Sequence, residues 1–212
     1  MPTLALDTAL GACSAAVVEG DRVLAARAEP MTRGHQERLA PLVREVVREA
    51  GLGFPDLDRV GVTTGPGSFT GLRVGLAFAR ALALALGRPC VGVSSLEALA
   101  AGTAGDVLTA APAPQDRLYV QRFSDGAPLA PPALVELETV DLAGVELLVG
   151  PGAARLAERA PGVRLDPRGW PDPAALARLC AAAPEPSGPP APLYLREPDA
   201  RTLAERGLAP RL

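Results

Sequence analysis

The 212-residue chain contains no lysine, isoleucine or asparagine, and all 21 of its basic residues are arginine. Without lysine there is no G-x-x-x-x-G-K-[ST] loop, so Walker-type phosphate binding is excluded. There is one histidine, His35, which rules out a two-histidine zinc site and an H-E-x-x-H metalloprotease within the chain. Cys13, Cys90 and Cys180 are odd in number and far apart, as suits small reduced core residues of a cytosolic protein rather than a disulfide framework. Aromatic residues make up only 3%, while Ala, Pro, Gly and Arg abound, a bias read as the codon usage of a GC-rich genome and not as function. A net charge of −3 and the lack of any arginine cluster exclude the cationic face of a stand-alone nucleic-acid binder. Met1-Pro2-Thr3 has no basic start and the apolar stretch after it is broken at Asp7, so no signal peptide is read. The longest apolar run, Val74 to Leu86, is interrupted by Arg80 and falls short of a bilayer span. Together these absences predict a cytoplasmic protein without a membrane segment.

What is present is the composition of a folded chain: 48% hydrophobic, 21% charged, and long enough for one large domain or two lobes. Residues 3–8, 11–19 and 22–28 read as three antiparallel strands, with Gly20-Asp21 as a hairpin turn. From His35 to Ala50, the residues Leu39, Leu42, Val43, Val46, Val47 and Ala50 fall on one helical face, with Arg44, Glu45, Arg48 and Glu49 opposite. A strand over 57–64, a helix over 70–86 closed by Gly87 and Pro89, a strand over 91–93 and a helix over 96–101 follow. Beyond residue 103 proline becomes frequent. Strands are expected at 106–109, 117–123, 134–138 and 146–149, and a helix capped by Asp172-Pro173 through Cys180. The division predicted is a lobe over 1–105 and a smaller α/β lobe over 106–212 carrying a Pro-rich loop at 184–192. Pattern alone specifies a mixed α/β sheet covered by helices.

Gly65-Pro66-Gly67-Ser68-Phe69-Thr70-Gly71-Leu72-Arg73 stands where a strand pattern gives way to a helical one. Glycine admits positive φ and proline presets its own, so the segment is a tight turn whose following amides could hold an anion or a partner's carbonyls. Its spacing is G-x-G-x-x-x-G, and Val91-Gly92-Val93-Ser94-Ser95 occupies the place of the acidic residue a dinucleotide fold needs, so the Rossmann reading fails. Ser68 and Thr70 are the candidate helix caps.

Several motifs in one order carry a resemblance to a known family. Leu6-Asp7-Thr8, Cys13-Ser14, His35-Gln36-Glu37 with Leu39 and Pro41, Gly65 to Arg73, and Val93-Ser94-Ser95-Leu96-Glu97-Ala98 resemble the TsaB family (YeaZ-like) of the M22 or glycoprotease-like superfamily. The likeness is close over residues 3 to about 102. Beyond that only Leu118-Tyr119 and Tyr194-Leu195-Arg196 match, and Pro112-Ala113-Pro114 stands where relatives carry Asp-Ala-Arg. The resemblance implies an actin-like, ribonuclease H-like α/β fold in two lobes, the second reduced. It implies a non-catalytic subunit that binds a TsaD-like transferase, the enzyme that places a threonylcarbamoyl group on the adenosine next to the anticodon. A TsaE-like ATPase would be a further partner, tRNA would be met only through the complex, and the chain alone would pair as a homodimer. No cofactor of its own is implied; a nucleotide, ATP or ADP, would sit at the subunit boundary. The metal ligands of the related catalytic subunit, a His-x-x-x-His, align with Ser95 and Leu99, so no metal is expected, and Glu97 is read as a helix-surface carboxylate. A stand-alone M22-like peptidase or a small actin-like phosphotransferase is the alternative.

The site candidates each have a plain structural reading beside the functional one. Gly71, Gly75, Ala79 and Ala83 lie four apart and leave one helix face nearly bare, either to pack on the chain's own sheet or to receive a helix of another chain. With Leu39, Leu42 and Val46 of the first helix they form the expected partner-binding surface, a four-helix contact that the resemblance favours. Asp7, Thr8, Gly67 and Arg73 are the candidate nucleotide contacts, against a turn-making Asp7 and a solvated Arg73 beside Arg80. His35 is read as a residue of the helix N-terminus rather than a general base, since no triad spacing accompanies it.

Overall fold

The computed structural model describes residues 1–195. Its first sheet contains β1 (Pro2–Asp7), β2 (Ala12–Glu19), β3 (Arg22–Pro30), β4 (Arg59–Thr63) and β5 (Cys90–Val93), in the order β3-β2-β1-β4-β5. β2 runs antiparallel to its neighbours β1 and β3, and β4 and β5 run parallel to β1. Parallel neighbours need long crossovers, and α1 (His35–Glu49) and α2 (Phe69–Leu86) provide them. This is the ribonuclease H-like arrangement that the resemblance implied.

α1 and α2 cover one face, over Leu4, Leu6, Val60 and Val62 of the central strands. α1 is amphipathic, and its polar side is tied to the edge strand: Arg38 pairs with Glu29 and Glu45, and Arg27 with Glu45 and Glu49. α3 (Ser95–Ala100) leads into a second sheet of β6 (Asp106–Pro112), β7 (Arg117–Ser124), β8 (Ala127–Pro128), β9 (Ala133–Glu136), β10 (Leu147–Val149) and β11 (Arg164–Asp166). Its order, β8-β7-β6-β10-β11 with β9 also on β7, repeats that of the first sheet, including the parallel β6-β10-β11 pairing. The short α4 (Ala153–Ala157) stands where α2 stands in the first sheet, whereas only a 3₁₀ turn at Leu137–Thr139 occupies the place of α1. The second sheet is thus a reduced copy, one that leaves no trace in the sequence.

After β11 the chain does not stay with the second sheet. α5 (Pro173–Ala182) packs on the open face of the first, against Ala5, Ala16 and Val18, and Leu193 N donates to Thr64 O at 2.8 Å. A lobe running from 106 to 212 therefore needs amendment, because residues 173–193 complete the first sheet; residues 196–212, including Arg196, lie outside the described part. Short elements, β8, β11 and α4, were not expected from sequence, since two to five residues carry no readable period.

Asp172 caps the start of α5, accepting from Ala175 N at 2.7 Å. The buried guanidinium of Arg59 caps its end: Nη1 donates to Cys180 O at 2.9 Å and Ala183 O at 2.6 Å. A cation on the last carbonyls satisfies acceptors that the helix itself leaves open. Arg59→Ala should lower unfolding free energy by about 2–3 kcal/mol, with the urea midpoint falling accordingly. An unchanged midpoint would show that α5 is held by its apolar face alone. All three cysteines are buried; burial pushes Cys13 and Cys90 up to about 11 and Cys180 to about 12, so they remain neutral thiols at pH 7.

Candidate functional site

The glycine-rich loop joins β4 to α2, and its donors meet the chain itself. Ser68 N donates to Ala9 O at 2.7 Å, and Thr8 Oγ1 donates to Gly71 O at 2.7 Å. A side chain at Gly67 would collide with Ala9 O, one at Gly71 with Thr8 O, and a Cβ at Gly75 would lie 2.5 Å from Thr8 Oγ1. These glycines exist because the β1–β2 turn comes so near. Gly65 has φ +99°, a region favouring glycine, and Ser68 Oγ caps the helix by accepting from Gly71 N at 3.2 Å. Thr70 makes no cap.

The turn also accounts for Asp7 and Thr8, both fully buried. Asp7 Oδ1 accepts from Ala9 N at 3.0 Å and from the Thr63 hydroxyl, while Oδ2 has no partner among the described residues. Burial pushes the Asp7 carboxyl above its usual range, against the hydrogen bonds from Thr63 and Ala9 that pull it down. Arg73 is exposed, with its guanidinium 3.8 Å from the centre of the Phe69 ring, and Tyr194 lies beside Phe69 at 6.3 Å. Asp7, Thr8, Gly67 and Arg73 therefore do not converge on a nucleotide: two are sealed in the core, the third is covered by Ala9, and the fourth is stacked. Arg80 is half-buried and donates through Nε to Pro190 O at 2.8 Å, so it pins the Pro-rich segment instead of sitting free in solvent.

With Asp7 raised, the native state holds its proton more tightly than the unfolded chain does. Its share of stability is full below the unfolded value and is lost as pH rises through the native one. Asp7→Asn keeps the accepting oxygen and removes the buried charge, so at pH 7 Tm should rise by about 2–4 °C, with no difference near pH 4. A fall in Tm at pH 7 would mean that the carboxylate is needed by the fold.

The expected partner-binding surface also fails as drawn. Leu39, Leu42 and Val46 of α1 and Gly71, Gly75, Ala79 and Ala83 of α2 are all buried, facing Leu6 and Val62 of the first sheet. The bare stripe serves intramolecular packing. On the opposite side of α2, however, a second apolar stripe runs through Ala77, Ala81, Leu84 and Ala85, at spacings of three and four, flanked by Val74 and Phe78, which are half-buried against the first core. Ala77, Ala81, Leu84 and Ala85 are exposed, Leu84 to 84%. Isolated exposed apolar residues need no explanation, but here four stand together along one side of α2 over little more than two turns. The sequence carried the signal, since α2 is apolar on two sides with only Thr70, Arg73 and Arg80 polar. Counted from Phe69, α2 has 18 residues and a mean hydropathy of 1.5, long and apolar enough to cross a bilayer by length and composition, contrary to the expectation of a run too short. Here its inner stripe lies on the sheet.

Ser95 and Leu99 are fully buried, and burial raises the half-buried Glu97 carboxyl, which lines a groove with Arg178 rather than standing on an open helix surface. Among the described residues no three His, Cys, Asp or Glu side chains converge as a metal site would require. His35 begins α1, 9% exposed, and its Nε2, closed to solvent, has no hydrogen-bond partner among the described residues.

With this geometry in hand, likeness to known proteins gains meaning. A profile of the TsaD family, tRNA N6-adenosine threonylcarbamoyltransferase, matches residues 26–125. YeaZ from Pseudomonas aeruginosa superposes with a TM-score of 0.80 at 31% identity, covering 92% of this chain and 99% of that one. An uncharacterized protein of Mycobacterium tuberculosis is 41% identical over 203 residues, 95% of this chain and 94% of its own length. One of Mycobacterium leprae is 39% identical, and the chain spans 56% of its length. The tRNA threonylcarbamoyladenosine biosynthesis protein TsaB of Escherichia coli is 39% identical over 102 residues, 48% of this chain and 44% of its own.

Proposed function

Since this chain belongs to the TsaB/YeaZ family, we propose that it acts in the cytoplasm in tRNA threonylcarbamoyladenosine biosynthesis, as a non-catalytic subunit that binds a TsaD-like transferase. The observation that carries the subunit role is the row of exposed residues Ala77, Ala81, Leu84 and Ala85 on the outer side of α2, which none of the described residues covers. A transferase built on a related fold would lay its own matching helix there, closing a helix contact in which Ala77 and Ala81 allow close approach and Leu84 fills a hole. Two copies of the chain would use the same stripe when the transferase is absent, and tRNA would be held mainly by the partner, in keeping with the net charge of −3.

A peptidase or phosphotransferase acting alone draws no support from the geometry. The strand-end carboxylate is sealed under the β1–β2 turn, and among the described residues no serine, cysteine or carboxylate is hydrogen-bonded to His35. Sedimentation of the chain mixed with the TsaD-like protein of the same cell tests the proposal. A heteromer is the expected result; two separate species at micromolar concentration would defeat it.

A further inference from the structure

We propose that Phe69, Arg73 and Tyr194 form a charged anchor at one end of the outer side of α2, where Arg73 takes a carboxylate carried by a helix of the TsaD-like transferase. This inference rests on the partner reading above and adds the chemistry and the register of the contact.

Phe69, Arg73, Ala77, Ala81 and Ala85 follow one another at intervals of four residues along α2, and all five are exposed. Residues so spaced form a ridge on a helix surface, the unit that fits between the side chains of a second helix. The apolar row of the partner reading therefore continues to the first residue of α2. At that end its character changes. Phe69 is 57% exposed and Tyr194 53%, with ring centroids 6.3 Å apart, and they are the only exposed aromatic side chains among the described residues. Two open rings beside an arginine are the residue types that concentrate binding energy at protein contacts.

The second observation is the placing of Arg73. Its guanidinium lies 3.8 Å from the centre of the Phe69 ring, and none of the described residues accepts a hydrogen bond from it or forms an ion pair with it. Arg80, on the same helix, is by contrast spent within the chain on Pro190 O. Stacking on a ring holds a guanidinium in place and leaves its N–H edge open, so little freedom is lost when a planar acceptor arrives. α2 contains no acidic residue, and Arg73 is the one charge on the ridge. A carboxylate matches its edge with two parallel hydrogen bonds. Since Leu84 makes the far end apolar, that pair dictates which end of α2 the partner's acidic residue faces, and so the register of the two helices.

The test is calorimetric titration of the full chain with the TsaD-like transferase of the same cell, at low and at high salt, comparing wild type with Arg73→Gln, Arg73→Glu and Ala81→Arg. Arg73→Gln should weaken association about tenfold at low salt and flatten its salt dependence, and Arg73→Glu should weaken it further. Both should shift Tm by no more than about 2 °C, because the side chain is exposed. Replacing the matching Asp or Glu of the transferase by Arg should restore binding to Arg73→Glu. If Ala81→Arg abolishes association while Arg73→Gln binds like wild type at both salt concentrations, the anchor is overturned and the partner reading stands. If all the variants bind like wild type, or wild type itself does not bind, the partner reading falls and the anchor falls with it. Loss of tRNA binding in Arg73→Gln with unchanged affinity for the transferase would also overturn the anchor, giving the two rings to a nucleobase instead.

Discussion

Ala81→Arg should abolish association with a TsaD-like transferase while leaving the fold intact. Ala81 sits at the centre of the outer α2 stripe, exposed, with Ala77, Leu84 and Ala85 exposed around it. A substitution at an exposed position away from caps and packed contacts changes stability by only about 0.5 kcal/mol either way. At a helix-to-helix contact the same change is severe. A guanidinium placed where two backbones approach must be buried unpaired, or must push the helices apart and lose the contact along their length. Binding should weaken by about two orders of magnitude or more, corresponding to roughly 3 kcal/mol. Sedimentation read beside circular dichroism decides the matter: wild-type helicity with undiminished complex formation would remove α2 from the interface.

Gly75→Leu should have the opposite profile, losing the fold first. Gly75 lies on the inner stripe, where even a Cβ would come 2.5 Å from Thr8 Oγ1 and 3.5 Å from side-chain atoms of Leu6 and Val62. Thr8 cannot withdraw without breaking its bond to Gly71 O, which ties the β1–β2 turn to the first turn of α2. Overpacking at such a point typically costs about 1–3 kcal/mol for a methylene or two, and a whole isobutyl group more. A loss above about 3 kcal/mol is a large part of the stability of a domain, so the urea midpoint should collapse or the chain should aggregate. A well-folded Gly75→Leu chain that merely failed to bind its partner would return the glycine stripe to the surface. The two variants together distinguish the two sides of one helix.

That distinction explains how legible this protein was. The helix over 69–86 was readable within one residue, and so was its row of small residues at 71, 75, 79 and 83. Which way the row faced was not readable, because α2 carries two apolar stripes and a helical period gives their separation, not their phase against a sheet. Only the approach of the β1–β2 turn, with the Thr8 and Ala9 carbonyls laid against Gly71 and Gly67, sets the phase. For α1 the problem did not arise, since Arg44, Glu45, Arg48 and Glu49 mark the outer side. Even there, Leu39, Leu42 and Val46 belong to the core and not to a partner.

The candidate site shows the same division. Asp7 was legible as a strand-end carboxylate with turn-forming habits, but its sealing depends on Thr63, 56 residues away. A small cleft lined by Thr32 and His35 from the start of α1 and by Ser68 from the start of α2 is assembled across the β4 crossover, a pairing that no local spacing encodes.

The sequence by itself determined the α/β character, the strand and helix order of the first hundred residues, the exclusion of Walker and two-histidine metal chemistry, and the family resemblance. All of these follow from local periodicity, from residue counts and from motifs in linear order. Tertiary structure alone decided that the second sheet repeats the first, that α5 returns to close the first sheet, and which face of α2 is left open. Those features depend on contacts between residues far apart in the chain, where the shape of one backbone against another selects among packings that the local pattern leaves equal.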